Sequence, residues 1–233
     1  MTLTTPSRLI DGDLIVEGRL VDASNATLFA KINSPGQEEL AVVYKPIAGE
    51  RPLWDFPDGN LASREVASFL ISEAGGFHCV PTTVMRDGPF GIGAVQQWID
   101  VDQSIDFIEL GQSHEPAIRN IALFDVVANN TDRKFGHILP MSKTEVYGCD
   151  HGVTFHEDFK LRTVLWQFSG EKLSDAEKEK LTRVRSFLAG NTEIGNLLTQ
   201  AEIAAILLRI ETLESEGFPV PTDEWPAVPW PPV

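Results

Sequence analysis

The most informative stretch of the chain reads Phe124-Asp-Val-Val-Ala-Asn-Asn-Thr-Asp132-Arg-Lys134-Phe-Gly-His137-Ile-Leu, and ten residues later the sequence reads Cys149-Asp150-His-Gly152. The first stretch places a carboxylate, Asp132, in a polar loop after an apolar segment. A lysine follows it by two positions. The second stretch places another carboxylate, Asp150, eighteen positions after the first and two before a glycine. Two carboxylates and a cation in polar loops are residue types that can hold a metal ion and phosphate groups.

The residues around these loops have clear local patterns. Residues 115 to 128 carry apolar side chains at helical spacing, which predicts a helix that ends at residues 129 to 131. Two short apolar runs follow, at residues 136 to 141 and 145 to 149. We expect them to form a hairpin whose second strand delivers Asp150.

This order of elements and motifs resembles the kinase superfamily, whose catalytic loop H-R-D-x-x-x-x-N is followed by D-F-G. Asn130-Thr-Asp132-Arg and Asp150-His-Gly152 replace the two tripeptides here. They resemble the phosphatidylinositol 3-/4-kinase-like branch, especially type II phosphatidylinositol 4-kinases and their small bacterial relatives. The resemblance implies an α+β, two-lobed protein-kinase-like fold with a trimmed C-lobe. It covers roughly residues 13 to 155.

The resemblance also implies roles for the loop residues. Asp132 would orient or deprotonate an acceptor hydroxyl, Lys134 would contact the transferred phosphate, and Asp150 would hold Mg²⁺ or Mn²⁺ on ATP. His137 stands five residues after Asp132, where the family carries an asparagine ligand. It is therefore a candidate metal ligand, and a hydrogen-bonding role within the loop is an equal alternative.

In the N-terminal half, the same resemblance assigns the nucleotide site. Lys45 ends the apolar run 40 to 46 and would hold the α- and β-phosphates, with Glu65 on the following helix as its partner. The first hairpin would cover the phosphates, and its turn offers Ser24 and Asn25. These two are equally well explained as ordinary turn formers. The hinge that binds adenine would comprise three consecutive residues: Gln97, Trp98 and Ile99.

Two further polar features have competing interpretations. Asp125 lies seven residues after Ile118, on the apolar face of its helix, so it needs a buried partner. We interpret it as a structural brace for the catalytic loop. His151 and His156, together with Asp150, could indicate a metal hydrolase. Their spacing matches no common zinc pattern, however.

Composition limits the partners and the compartment. Acidic residues outnumber basic ones by 34 to 19, which gives a net charge of −15, and lysine and arginine form no cluster. We therefore expect neither nucleic-acid binding nor stable membrane association. The sequence has no apolar run of 18 residues and no secretory signal, and its two cysteines are isolated. These features favour a cytoplasmic protein.

The expected division is an N-lobe at residues 1 to 99 and a C-lobe at residues 100 to 233. The C-lobe contains two capping boxes, beginning at Ser174 and Thr199, and a tail rich in proline and tryptophan that we expect to pack on the domain. The aromatic loop 49 to 59 has no assigned role.

The preferred interpretation is a kinase that uses ATP and an unknown hydroxyl acceptor, which we expect to be a small molecule or a protein rather than a membrane lipid. A nucleotide-binding pseudokinase with a regulatory or scaffold role is the alternative, and a nucleotidyl transferase on the same fold is a third possibility.

Overall fold

The computed structural model describes residues 3–20, 25–223 and 225–233. Its main sheet has five antiparallel strands in the order β1-β2-β3-β5-β4. The strands are β1 (Asp13–Arg19), β2 (Leu28–Asn33), β3 (Leu40–Pro46), β4 (Thr83–Arg86) and β5 (Gly93–Gln97). A short helix, α1 (Pro6–Asp11), precedes them. The predicted first hairpin is present as β1 and β2, and the apolar run at residues 40 to 46 forms β3.

Strand β3 shows how the sheet positions a functional side chain. Leu40, Val42 and Tyr44 are buried on the core face, whereas Val43 and Lys45 alternate with them and lie on the other face. This two-residue period is the natural consequence of extended backbone. The lysine thus faces the cleft beside the sheet.

Helix α2 (Leu61–Gly75) follows the third strand and matches the predicted helix. The Asn60 side chain accepts a hydrogen bond from the Ser63 amide at 2.7 Å, which caps the N-terminus. Gly76 ends the helix in the left-handed conformation, with a φ of 74°. The helix packs both on the sheet and on the helical part of the molecule.

The helical part surrounds a second, two-stranded sheet. Its helices are α3 (Phe107–Gly111), α4 (Pro116–Ala128), α5 (Asp175–Gly190), α6 (Ile194–Leu197) and α7 (Gln200–Glu216). The small antiparallel sheet consists of β6 (Ile138–Pro140) and β7 (Val146–Gly148). The predicted catalytic-loop helix, the hairpin after it and both capping boxes are therefore confirmed.

Buried apolar side chains form a large cluster in the helical part and a smaller one on the sheet. Helix α2 adds Ala67, Phe69 and Ile71 to the larger cluster. The division of the chain at residue 99 stays a prediction. The tail packs on the helical part, as expected: Phe218 is buried and the Ala227 carbonyl accepts hydrogen bonds from Thr163 and Trp166. Within the described residues, no helix has the length and apolar character to cross a membrane.

Candidate active site

A chain of three charged side chains connects the sheet, α2 and the Asp-x-Gly motif. Lys45 Nζ contacts Glu65 Oε1 and lies 3.0 Å from Asp150 Oδ1. The other Glu65 oxygen accepts a hydrogen bond from the His151 amide at 3.1 Å. Since the lysine and the glutamate are separated by 20 residues, and the aspartate by 105, only the folded chain brings them together.

The surroundings keep the Lys45 and Asp150 side chains ionised. Burial alone would lower the pKa of the Lys45 ammonium, but the neighbouring carboxylates of Asp150 and Glu65 outweigh it and raise that pKa. The ammonium in turn lowers the pKa of Asp150 well below its usual range. The site thus presents a fixed positive charge beside an ionised carboxylate that is 51% exposed to the cleft.

The backbone of the Asp-x-Gly motif supports this arrangement. Asp150 has a φ of 60°, in the left-handed region that aspartate tolerates better than most residues. Gly152 packs closely on α2, because a Cβ added there would lie 3.2 Å from Leu61 Cβ. A larger residue would push the motif away from Glu65.

Asp132 lies at the catalytic loop between two cations. Its Oδ2 is 3.3 Å from Lys134 Nζ, and its Oδ1 is 3.6 Å from Arg162 Nη2. Its backbone amide donates to Asn130 Oδ1 at 3.0 Å, which fixes the turn. The carboxylate therefore stands at the surface of the cleft in a defined orientation.

Asp132, His137 and Asp150 each offer one metal-ligand atom, and the three atoms lie within 4.8 Å of one another. His137 Nε2 is 3.5 Å from Asp150 Oδ2. Burial lowers the pKa of His137, which favours the neutral imidazole that can ligate a metal. Two carboxylates suit Mg²⁺ or Mn²⁺, and the imidazole suits Mn²⁺ better. The donor set therefore fits a divalent cation.

Arg133 and Asp125 form a buried brace beneath the loop. Arg133 donates from Nε and Nη2 to both Asp125 oxygens, at 2.8 and 2.9 Å, and neither side chain is more than 1% exposed. Arg133 also donates to the Cys149 carbonyl at 2.8 Å and to His151 Nε2 at 2.8 Å. Asp125 thus ties the catalytic loop to the Asp-x-Gly motif. This places His151 in the brace, away from the cluster of potential metal ligands.

Two connected cavities flank Lys45 and Asp150. The larger, of about 490 Å³, lies under the sheet and is lined by Gln97, Trp98 and Ile99 among others. The smaller, of about 170 Å³, contains Asn25, Glu65, Asp132 and Lys134. Four residues line both cavities, namely Thr27, Lys45, His137 and Asp150. Their sizes suit a ligand with a flat group in one cavity and a charged group in the other.

The predicted hinge residues differ in their free hydrogen-bonding groups. The Gln97 amide donates to the Thr82 carbonyl at 2.9 Å, and the Trp98 amide donates to Ala41 at 3.0 Å. Within the described residues, the Ile99 amide has no protein acceptor. Trp98 packs edge-to-face on Phe29 while lining the larger cavity, so it is both a packing residue and a cavity wall.

The structure describes one of the two residues predicted to contact phosphate in the turn of the first hairpin. Ser24 lies outside the described residues. Asn25 lines the smaller cavity, and its Oδ1 accepts a hydrogen bond from the Arg51 amide at 3.0 Å. Its side chain thus anchors the loop that follows β3.

Sequence reasoning missed three residues of the site, namely Glu50, Arg133 and Arg162. The Glu50 carboxylate caps α2 by accepting from the Leu61 and Ala62 amides, each at 2.9 Å, and lines the smaller cavity. The need of Asp125 for a buried partner was a signal for Arg133. The sequence contains no comparable signal for Glu50 or Arg162.

Comparison with known proteins shows the family to which the chain belongs. No family model matches it. Protein Rv2133c of Mycobacterium tuberculosis is 38% identical over an alignment of 261 positions, which covers 96% of this chain and 93% of that protein. The chain belongs to the Rv2133c family.

Two solved structures are similar in fold to this chain. Hydra Fam20, solved with sugar, has a TM-score of 0.50 and 10% identity, covering 91% of this chain and 86% of that one. The Helicobacter pylori proinflammatory kinase CtkA has a TM-score of 0.47 and 9% identity, covering 89% and 94%. The fold is kinase-like. Identities this low show the fold alone.

Proposed function

We propose that this member of the Rv2133c family transfers the γ-phosphate of ATP to a hydroxyl group of an acceptor. The observation that carries the proposal is the contact chain from Glu65 through Lys45 to Asp150, at the junction of two cavities. A kinase needs this lysine–glutamate pair and this carboxylate in place together. The phosphatidylinositol 3-/4-kinase type of active site is part of the proposal.

In the proposed binding mode, adenine occupies the larger cavity, where the Ile99 amide is available to a purine acceptor atom. The phosphates extend past Lys45 into the smaller cavity. Lys45 neutralises charge on the α- and β-phosphates, and Lys134 does so on the γ-phosphate. Asp150 and His137 are the residues that would hold Mg²⁺ or Mn²⁺, and the ion would offset phosphate charge when bound.

The proposed reaction is a direct displacement. The acceptor oxygen forms a bond to the γ-phosphorus while the bond between that phosphorus and the β–γ bridging oxygen breaks, and its electron pair leaves with ADP. Asp132 orients the acceptor hydroxyl and takes its proton. The fixed geometry of the Asp132 carboxylate, between Lys134 and Arg162, supports this role.

Two substitutions test the nucleotide site. Lys45→Met removes the phosphate contact and Asp150→Asn removes a metal-ligand charge, so each should weaken binding of metal-ATP by about tenfold or more, the effect of one charged hydrogen bond. Binding is measured by calorimetry with a non-hydrolysable ATP analogue and Mg²⁺.

Lys31→Met and Asp158→Asn are the matched controls. Lys31 lies on β2 and pairs with Glu17 and Glu39, and Asp158 is 79% exposed. The controls should bind like the wild type. Unchanged affinity in both site variants would contradict the proposal, whereas wild-type binding without any ADP formation would favour the pseudokinase alternative.

A further inference from the structure

Residues 160 to 165, which follow the Asp-x-Gly motif, run beside the loop that carries Asp132. Burial alternates along this segment: Leu161, Thr163 and Leu165 are buried, whereas Lys160 and Arg162 lie on the outer face. A two-residue alternation of this kind is typical of extended backbone. Lys160 and Arg162 therefore project from the same side of the segment.

Backbone hydrogen bonds fix Arg162 directly opposite Asp132. The Arg162 amide donates to the Asn130 carbonyl at 3.0 Å, and the Arg133 amide donates to the Arg162 carbonyl at 3.0 Å. These two contacts bracket Asp132 in the sequence. The Arg162 side chain is therefore held beside the Asp132 carboxylate by the main chain, independently of the ion pair between them.

Two cationic side chains, those of Lys134 and Arg162, lie beside the single carboxylate of Asp132. Lys134 and Arg162 contact opposite oxygens of it, at 3.3 and 3.6 Å. Arg162 Nε is also buried and has no hydrogen-bond partner among the described residues. Buried donors without a partner are uncommon, since each costs free energy. Arg162 therefore keeps an unused donor beside the Asp132 carboxylate.

The two cations lie on different sides of Asp132. Lys134 lines the smaller cavity, together with Asp132 and Lys45. Arg162 does not belong to the walls of either cavity that flanks Lys45, as far as the described residues define them. Arg162 is therefore not part of the proposed nucleotide pocket, and it is available to an acceptor at Asp132.

We propose that Arg162 binds an anionic group of the acceptor, so that the substrate is an alcohol carrying a carboxylate or a phosphate close to its reactive hydroxyl. The inference rests on the proposed function, because it places the acceptor hydroxyl at Asp132. A guanidinium suits this task, since its fork of donors matches both groups.

A second cation, Lys160, lies on the same face of the segment as Arg162. Lys160 Nζ lies 5.7 Å from the centre of the Trp54 ring and 5.4 Å from that of Trp225. Trp54 belongs to the aromatic loop after β3 and is 86% exposed. Lys160 thus adds a positive charge to the side of the segment that presents Arg162, and its ammonium also donates a hydrogen bond to His156 Nε2 at 3.0 Å.

The test uses three probes with a common skeleton: glycerol, glycerate and glycerol phosphate. Their dissociation constants are measured with the protein saturated by Mg²⁺ and a non-hydrolysable ATP analogue. At least one anionic probe should bind about tenfold or more tightly than glycerol, the factor for one hydrogen bond to a charged group. The carboxylate and phosphate arms show which anion Arg162 prefers.

Arg162→Gln should abolish most of this preference, and Arg162→Lys should retain part of it. Lys143→Gln is the matched control, because it removes the same charge from an exposed turn between β6 and β7. It should keep the wild-type preference.

Three outcomes would overturn the inference while the nucleotide still binds. They are equal affinity of the wild type for all three probes, equal losses in Lys143→Gln and Arg162→Gln, and a loss of nucleotide affinity in Arg162→Gln that matches its loss of anion affinity. Failure of the wild type to bind the ATP analogue would instead contradict the proposed function itself, and the inference with it.

Discussion

At the scale of single residues, Asp132 and Asp150 show how one chemical group serves two tasks. Asp150 contacts the ammonium of Lys45, which lowers its pKa, and it faces the junction of the two cavities. Asp132 contacts Lys134 and Arg162 at the outer part of the site. Their different neighbours support assigning the metal to the first and the acceptor hydroxyl to the second.

Asp132→Asn should separate binding from chemistry. The amide keeps the size of the side chain but cannot accept the proton, so turnover should fall by about 10²- to 10⁴-fold. Affinity for metal-ATP should change much less than in Asp150→Asn. ADP formation is measured alongside calorimetry, with Asp158→Asn as the control. Turnover close to that of the wild type would exclude Asp132 as the base.

The proposed role of His137 as a metal ligand can be tested through the metal preference of the site. If the His137 imidazole is a ligand, the wild type should favour Mn²⁺ over Mg²⁺, because imidazole suits transition ions better. His137→Asn restores an oxygen ligand, and the preference should shrink. Titration of both ions into the ATP-bound proteins measures the affinity ratio. An identical ratio in the two proteins would remove His137 from the metal site.

At the scale of elements, the position of α2 depends on a buried ion pair with α7. Arg64, next to Glu65, donates from Nη2 to Glu202 Oε1 at 2.6 Å, and the two side chains are 4% and 6% exposed. Arg64 also donates to the carbonyls of Asp58 and Asn60. The pair fixes the helix that presents Glu65 to Lys45.

Glu202→Gln tests this pair without disturbing the end of α7. Glu202 belongs to the capping box with Thr199, and glutamine also serves in such a box. The substitution leaves the Arg64 charge buried without a carboxylate, so the free energy of unfolding should fall by up to about 3 kcal/mol. Urea denaturation measures it.

Glu177→Gln is the matched control in the capping box of α5. Its partner Arg119 is 20% exposed and also pairs with Glu171, so it keeps a carboxylate in the variant. The loss should therefore be smaller than in Glu202→Gln. If Glu177→Gln lowered the free energy of unfolding by as much as Glu202→Gln, the link between α2 and α7 would contribute no more to stability than the ion pair of Glu177 with Arg119.

At the scale of the whole molecule, the tail returns to support the catalytic loop. The Ala227 carbonyl accepts from the Thr163 amide at 3.0 Å and from Trp166 Nε1 at 2.8 Å. The Pro232 carbonyl accepts from the Phe135 amide at 2.9 Å, between Lys134 and His137. The last residues thus brace both the segment that carries Arg162 and the loop that carries Asp132.

Deletion of residues 226 to 233 should lower the free energy of unfolding by about 1.5 to 4.5 kcal/mol, since three hydrogen bonds are lost at about 0.5 to 1.5 kcal/mol each. Urea denaturation again measures the change. Val228→Ala truncates an exposed side chain but keeps all three contacts, so its effect should stay within about 0.5 kcal/mol. Equal stability of the deletion variant and the wild type would show that the tail does not support the fold.

The sequence alone determined the elements that depend on nearby residues. The apolar spacing before Asn129, the alternation in β3, the caps of α2 and the two capping boxes all arise from interactions within one or two turns of chain. The structure contains each of them. The order of the charged residues along these elements was also visible in the sequence, and it led to the prediction of a kinase-like fold.

Only the tertiary structure decided which distant groups meet. Asp125 pairs with Arg133, Asp132 lies beside Arg162, Glu50 caps α2, and Arg64 reaches Glu202 across 138 positions. Such pairs leave no periodic trace in a sequence, because a side chain finds its partner through the packing of whole elements rather than through spacing along the chain. The contact between Asp132 and Arg162 belongs to the proposed acceptor side of the site, which is why the sequence indicated the nucleotide chemistry but not the substrate.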